Sequence, residues 1–128
     1  MDNDLFLLAY LKELEYYGNF LKNRNVETIF FGGGTPSLME PKFLQKILEK
    51  IAKIWNLSDN IEISMEANPT TFEINKFKEF KKIGINRLSI GVQSLKDEVL
   101  KFFGRIHTAT EAKNAIAMAE KFFRIATP

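Results

Sequence analysis

Three short segments of the sequence carry residue types that could bind a small zwitterionic ligand. Gly32–Pro36 is a glycine loop, and because glycine has no Cβ, a ligand can contact the backbone N–H and C=O groups directly. Glu66 offers a carboxylate that could accept hydrogen bonds from an amine or a ribose hydroxyl. Gln93 offers an amide, and Arg105 offers a guanidinium fork that matches a carboxylate. This set predicts a pocket in which Arg105 binds a ligand carboxylate and the glycine-loop backbone binds an ammonium group.

Each of these residues also has a simpler interpretation, and these alternatives stay open. The glycine loop could be a tight turn, Glu66 a surface acid, and Gln93 with Arg105 a loop cap beside a surface arginine. The loop matches neither the P-loop pattern nor the dinucleotide-binding fingerprint, since its glycines are consecutive and no Gly-Lys-Ser/Thr follows. His107 could be a hydrogen-bonded structural residue or a haem ligand.

Composition excludes several classes of function. The chain has 128 residues, a formal net charge of +2, one histidine and no cysteine. Disulfides, thiolate metal sites and cysteine nucleophiles are therefore excluded on this chain. Lysines and glutamates are interspersed, whereas a nucleic-acid interface needs clustered basic residues. The chain begins with an acidic segment and has no apolar run of the ~18 residues that span a membrane. We expect a cytoplasmic protein that binds neither nucleic acid nor membrane.

Hydrophobic periodicity predicts helices that alternate with β-branched and aromatic strands. Gly84 is predicted to end a helix in the left-handed conformation, and Thr108 with Glu111 to form a capping box. The aromatic pairs Phe30–Phe31, Phe102–Phe103 and Phe122–Phe123 are predicted to be core. The predicted helices cover residues 4–23, 41–55, 74–83, 97–103 and 108–122, and the predicted strands cover 26–31, 61–66 and 87–92, with a further strand starting at 124.

This order predicts an α/β fold with about three to four parallel strands and flanking helices. Parallel strands place their C-terminal ends at one edge, where ligands bind in such folds. Gly32–Pro36 and Gln93 each follow a predicted strand, and Glu66 ends one, so we expect them on one rim with Arg105. Three strands are too few to close a barrel, and we expect a chain that is cut at both ends.

The strings around these residues resemble one known family. Thr28–Leu38, Glu66–Pro69 and Asn86–Ser94 are similar, in order and spacing, to motifs of radical SAM proteins of the oxygen-independent coproporphyrinogen III oxidase family. Gly104–Thr108 resembles the branch of that family described as the haem chaperone HemW. The resemblance covers residues 10 to 123 and implies part of a radical SAM (β/α) barrel.

By this resemblance, the pocket would hold S-adenosyl-L-methionine (SAM). Gly33, Gly34 and Thr35 would hold the methionine part through backbone groups. Arg105 would pair with its carboxylate. The remaining family positions, Glu66 and Gln93, would be polar contacts to SAM.

The resemblance also implies features that this chain lacks. The family binds a 4Fe–4S cluster through Cys-x3-Cys-x2-Cys on the loop after its first strand, whereas this chain has no cysteine. We also expect the family's later Asp-Leu-Ile-Tyr-Gly-Leu-Pro strand and its C-terminal domain to be missing from this segment. We therefore expect residues 1–128 to be a single truncated segment of the radical SAM core. It would keep part of the SAM pocket, have no catalytic or metal-binding residue, and be inactive alone.

Two alternatives remain at this stage. The chain could be a binding module for SAM or haem. It could also be one half of a split coproporphyrinogen III dehydrogenase, in which a second polypeptide completes the barrel and supplies the cluster.

Overall fold

A computed structural model describes residues 3–126 of the chain. One sheet of four parallel strands, in the order β1-β2-β3-β4, forms its centre. The strands are β1 (Asn25–Phe31), β2 (Asn56–Ala67), β3 (Arg87–Ile90) and β4 (Arg124–Ala126). The helices are α1 (Asn3–Phe20), α2 (Pro41–Ile54), α3 (Thr71–Ile74), α4 (Phe77–Lys82), α5 (Asp97–Phe102) and α6 (Ala109–Glu120), and a 3₁₀ turn covers Pro36–Leu38.

The parallel α/β fold predicted from the sequence is therefore confirmed, including the strand at residue 124. β2 begins five residues earlier than position 61, because Asn56 and Leu57 also pair with the start of β1. The register of that pair shifts between Val26 and Thr28 and then runs regularly to Phe31 opposite Met65. The regular part aligns the C-terminal ends of β1 and β2, which is where the glycine loop begins.

One face of the sheet is covered by helices and carries the core. Met65, Leu88 and Ile90 are fully buried on this face. α2 contributes Leu44 and α6 contributes Ala112, both nearly or fully buried. α2 starts with Pro41 in its first turn, where a missing N–H costs nothing, and then presents one apolar stripe to the sheet.

The opposite face of the sheet carries polar side chains. Successive strand residues point to opposite faces, so residues that alternate with the core lie here. Glu66 of β2 pairs in register with Ser89 of β3, and Ser64 pairs with Arg87. This face therefore presents a carboxylate and a hydroxyl side by side near the C-terminal ends of the strands.

The helix predicted over residues 74–83 is divided in two. α3 ends at Ile74 and α4 begins at Phe77, with the chain bending at Asn75 and Lys76, where the Lys76 N–H bonds Glu73 O three residues back. The prediction for Gly84 is correct: its φ is +110°, and its N–H donates to Lys81 O. Periodicity alone did not locate the bend, because the apolar spacing continues across it.

The prediction that the three aromatic pairs are core is wrong for three rings. Phe102 is 85% exposed, Phe103 60% and Phe30 57%. Phe123 is buried and makes an edge contact with the ring of Phe77. Hydrophobicity does not distinguish a ring on the covered face of the sheet from one on its open face or at a helix end.

In the part of the chain that the structure describes, none of the helices is long and apolar enough to cross a membrane.

Candidate functional site

The predicted residues meet at a cavity of about 250 Å³ at the C-terminal ends of β1, β2 and β3. Gly34 and Thr35 line it from the glycine loop, Glu66 from the end of β2, and Gln93 and Arg105 from the segments after β3. The cavity lining consists of Gly34, Thr35, Glu66, Ala67, Asn68, Ser89, Gly91, Gln93 and Arg105. Gly33, the remaining predicted residue, does not line the cavity but contacts Glu66. The sheet thus brings residues from four segments of the chain onto one rim.

The glycine loop has a conformation that favours glycine. Gly33 has a φ of +81° and Gly34 a φ of +58°, and no atom outside the adjacent residues lies within 4 Å of where a Cβ would be at either position. The space beside the backbone is thus open to a ligand. The Gly33 N–H donates to Glu66 Oε2 at 3.1 Å, which joins the loop to β2. Glu66 therefore anchors the loop, and its carboxylate still faces the cavity.

Arg105 is positioned by the end of α5. Gly104 has a φ of +66° and donates its N–H to Lys101 O, and the Arg105 N–H donates to Leu100 O at 2.9 Å. These two bonds form a Schellman motif, which ends the helix and fixes the direction of the next residue. Leu100 is buried, so the motif is attached to the core. The side chain of Arg105 consequently leaves a rigid turn and extends over the cavity.

The guanidinium of Arg105 makes two internal hydrogen bonds. One nitrogen, Nη2, donates to Asn68 Oδ1 at 3.2 Å and to Gly91 O at 3.4 Å. Both bonds are long for N–H···O contacts. Because a guanidinium has five N–H donors, those not directed at Asn68 and Gly91 can pair with a carboxylate in the cavity.

Gln93, three residues after the end of β3, is held in an uncommon backbone conformation. Its φ is +63°, a left-handed value that costs free energy for a residue other than glycine. Its side chain extends over Gly91: a Cβ on Gly91 would lie 3.5 Å from Gln93 Nε2 and 3.4 Å from Arg105 Nη2. The absence of a side chain at position 91 therefore leaves room between these two groups.

His107 is buried, and its Nε2 lies 3.0 Å from Val92 O. This geometry supports the interpretation of His107 as a hydrogen-bonded structural residue. The contact ties the segment after Arg105 to the end of β3.

Lys76 contacts the chain just after the glycine loop. Its Nζ donates to Leu38 O at 3.0 Å and to Met39 O at 3.3 Å. Burial lowers the pKa of Lys76, and the carboxylates of Glu40 and Glu73 act in the opposite direction. These bonds connect the segment between α3 and α4 to the chain that follows the loop.

Four residues that line the cavity were not among the predicted site residues: Ala67, Asn68, Ser89 and Gly91. Asn68 lies between Arg105 and the Thr35 hydroxyl, to which its Nδ2 donates at 3.5 Å. Gly91 leaves the space between the side chains of Gln93 and Arg105. A glycine inside a strand pattern does signal a close approach to the backbone, so Gly91 could have been found. Asn68 next to Pro69 resembled only a turn, and no local signal marks its role.

The residues present do not fit an iron–sulfur cluster. Such clusters are held by cysteine thiolates, and the chain has no cysteine. Within residues 3–126, no group of three or more His, Asp or Glu side chains could hold a metal ion. The cavity instead combines a guanidinium, an amide and open glycine backbone, a donor set suited to the amino-acid end of a small molecule.

A parallel α/β sheet with a polar cavity at the C-terminal strand ends is typical of doubly wound and (β/α) barrel proteins. The model of the Radical SAM superfamily matches residues 8–127. The chain therefore belongs to the radical SAM superfamily.

Among curated proteins, relatives named heme chaperone HemW are similar to this chain. The Haemophilus influenzae protein is 43% identical over 108 residues, which cover 84% of this chain and 28% of that protein. The Escherichia coli protein is 42% identical over 117 residues, covering 91% and 31%. The mitochondrial radical S-adenosyl methionine domain-containing protein 1 of Bos taurus is 44% identical over 100 residues, covering 78% and 23%. The chain is thus HemW-like and spans less than a third of the length of these relatives.

Solved structures confirm the fold. Coproporphyrinogen III oxidase (HemN) from Escherichia coli, described as a radical SAM enzyme, superposes with a TM-score of 0.85 at 24% identity. That match covers 98% of this chain and 29% of the oxidase. The archaeal Elp3 of Methanocaldococcus infernus gives a TM-score of 0.60 at 21% identity. The predicted fold, a partial radical SAM (β/α) barrel, is therefore confirmed.

Proposed function

We propose that residues 1–128 are one segment of the core of a HemW-like radical SAM protein and that this segment binds the amino-acid end of SAM. The observation that carries the proposal is the cavity shared by Gly34, Thr35, Gln93 and Arg105. SAM carries an α-carboxylate and an α-ammonium group on the same carbon. Binding both groups requires a cationic fork and oxygen acceptors within one small pocket.

Each residue has a separate role in this proposal. Arg105 pairs with the carboxylate through the donors that Asn68 and Gly91 leave free. The Gly34 carbonyl and the Thr35 hydroxyl accept hydrogen bonds from the ammonium group. The Glu66 carboxylate adds negative charge next to that ammonium group, since it already lies against the loop through Gly33. The Gln93 amide offers both a donor and an acceptor to the rest of the ligand.

The same proposal limits what this chain does alone. In the family, a 4Fe–4S cluster supplies the electron that cleaves SAM, and the residues of this chain do not fit that cluster. We therefore expect binding without reductive cleavage of SAM. The role of the whole protein in haem or porphyrin metabolism is proposed from the names of its relatives, heme chaperone and coproporphyrinogen III oxidase.

A two-dimensional amide NMR titration with SAM tests the proposal, because it reports weak binding and folding together. We expect saturable shifts at Gly33–Thr35, Gln93 and Arg105, with a dissociation constant in the micromolar to millimolar range. In a second sample, the reductant dithionite is added to the chain and SAM, and we expect that no 5′-deoxyadenosine, the product of SAM cleavage, is formed. A folded chain whose spectrum does not change with SAM would contradict the binding role, and cleavage of SAM would contradict the proposed inactivity.

A further inference from the structure

A buried carboxylate lies directly behind the candidate site. Glu73, in the short helix α3, is 1% exposed. Its Oε1 accepts hydrogen bonds from the Ser37 hydroxyl and from the Asn68 N–H, the latter at 3.0 Å. Its Oε2 accepts one from the Thr70 hydroxyl at 2.8 Å. A buried carboxylate is costly unless its oxygens are hydrogen-bonded, and here both oxygens are.

The donors to Glu73 come from separate parts of the site. Ser37 is fully buried and lies two residues after Thr35, so it fixes the end of the glycine loop. Asn68 is the residue that accepts from Arg105. The helix cap at Thr70 would need only one carboxylate oxygen, so capping alone does not account for the contacts of Oε1.

We infer that Glu73 is a positioning residue for the ligand pocket: it holds Asn68 and the glycine loop at the distance at which Arg105 and Thr35 face the same ligand. The inference rests on the proposed function and extends it. The connection runs from Glu73 Oε1 to the Asn68 backbone, and from the Asn68 side chain to Arg105 Nη2 at 3.2 Å and Thr35 Oγ1 at 3.5 Å. Without the hydrogen bond between Glu73 and the Asn68 N–H, Asn68 is no longer fixed, and the guanidinium of Arg105 loses its orientation.

The test compares SAM affinities of the wild-type chain and the Glu73→Gln variant by the same NMR titration. Glutamine keeps the volume but has a single acceptor oxygen for the three donors Ser37, Asn68 and Thr70, so at least one of these hydrogen bonds is lost or reversed. We expect a dissociation constant about tenfold weaker, the fold-change of one hydrogen bond of ordinary strength. Glu79→Gln is the matched control, because Glu79 is an exposed carboxylate paired with Lys82, and it should leave affinity unchanged.

A double-mutant cycle separates positioning from a merely structural role. If Glu73 acts through the Asn68 side chain, Glu73→Gln should have little further effect on affinity in an Asn68→Ala background. An undiminished effect in that background would overturn the inference. So would a folded Glu73→Gln variant with wild-type affinity, whereas a wild-type chain that fails to bind SAM would overturn the proposed function instead.

A second variant covers the case in which Glu73→Gln does not fold. Ser37→Ala removes one donor to Glu73 and leaves a side chain of similar size in a fully buried position. We expect this variant to remain folded and to bind SAM several-fold more weakly. Wild-type affinity in a folded Ser37→Ala variant would overturn the inference on its own.

Discussion

Replacing Arg105 by alanine is the most direct test of the proposed pocket. The side chain follows a Schellman turn anchored by buried Leu100, and its own hydrogen bonds are two long contacts to Asn68 Oδ1 and Gly91 O. Because both acceptors line an open cavity, water can replace the guanidinium at each of them. We therefore expect the substitution to cost less than about 1 kcal/mol of folding free energy.

The effect on the ligand should be larger than the effect on folding. A hydrogen bond between charged groups contributes about 1.5–3 kcal/mol, which corresponds to a roughly 10- to 150-fold weaker dissociation constant for SAM. Arg105→Lys should fall between wild type and alanine, because lysine keeps the charge but loses the planar fork. Decarboxylated SAM should bind the wild-type and alanine chains equally, since it has no carboxylate for Arg105.

Amide NMR titration measures the affinities, and thermal unfolding measures the stabilities. Arg87→Ala is the control, because Arg87 lies at the N-terminal end of β3 and contacts Glu62 at 3.5 Å, away from the cavity. If Arg105→Ala bound SAM as tightly as Arg87→Ala does, Arg105 would not be a ligand residue. If it lost affinity equally for SAM and decarboxylated SAM, the carboxylate would not be its partner.

Three further substitutions test the site and the fold. Gly91→Ala should keep the wild-type melting temperature, because the φ of Gly91 is ordinary and the new methyl group fits. The methyl group would occupy the space between Gln93 and Arg105, so titration should show SAM binding at least tenfold weaker. Phe77→Ala should lower the unfolding free energy by about 3–5 kcal/mol in urea titrations, because the ring is fully buried; a loss below about 1 kcal/mol would contradict that packing. Thr108→Ala should cost about 0.5–2 kcal/mol in the same assay by removing the capping box of α6, and an unchanged midpoint would mean that the box contributes nothing.

Local sequence signals predicted most of the elements correctly. The capping box at Thr108 and the left-handed glycine at Gly84 depend on residues within one turn of the chain, so the sequence contains all that is needed to recognise them. The bend at Asn75 and Lys76 was missed for the opposite reason. At the bend, Glu73 is hydrogen-bonded to Ser37 and Lys76 to Leu38, each more than thirty positions earlier in the sequence. No local sequence pattern indicates such contacts.

The order of motifs and predicted strands in the sequence indicates which segments could form the site. The glycine loop and Gln93 follow strands, and Glu66 lies at the end of one. Parallel strands present their C-terminal ends at one edge. Composition alone also excluded a cysteine-bound cluster, because that conclusion needs no coordinates.

The hydrogen bonds that connect these segments depend on the three-dimensional fold. Asn68 bridges Arg105 and Thr35, and Glu73 holds Asn68 and Ser37 from behind. Except for the bond between Glu73 and Asn68, these contacts join residues 33, 36 or 37 positions apart in the sequence. They exist because the register of the sheet brings the ends of β1, β2 and β3 together, and side-chain hydrogen bonds require a precision that residue type and spacing do not encode.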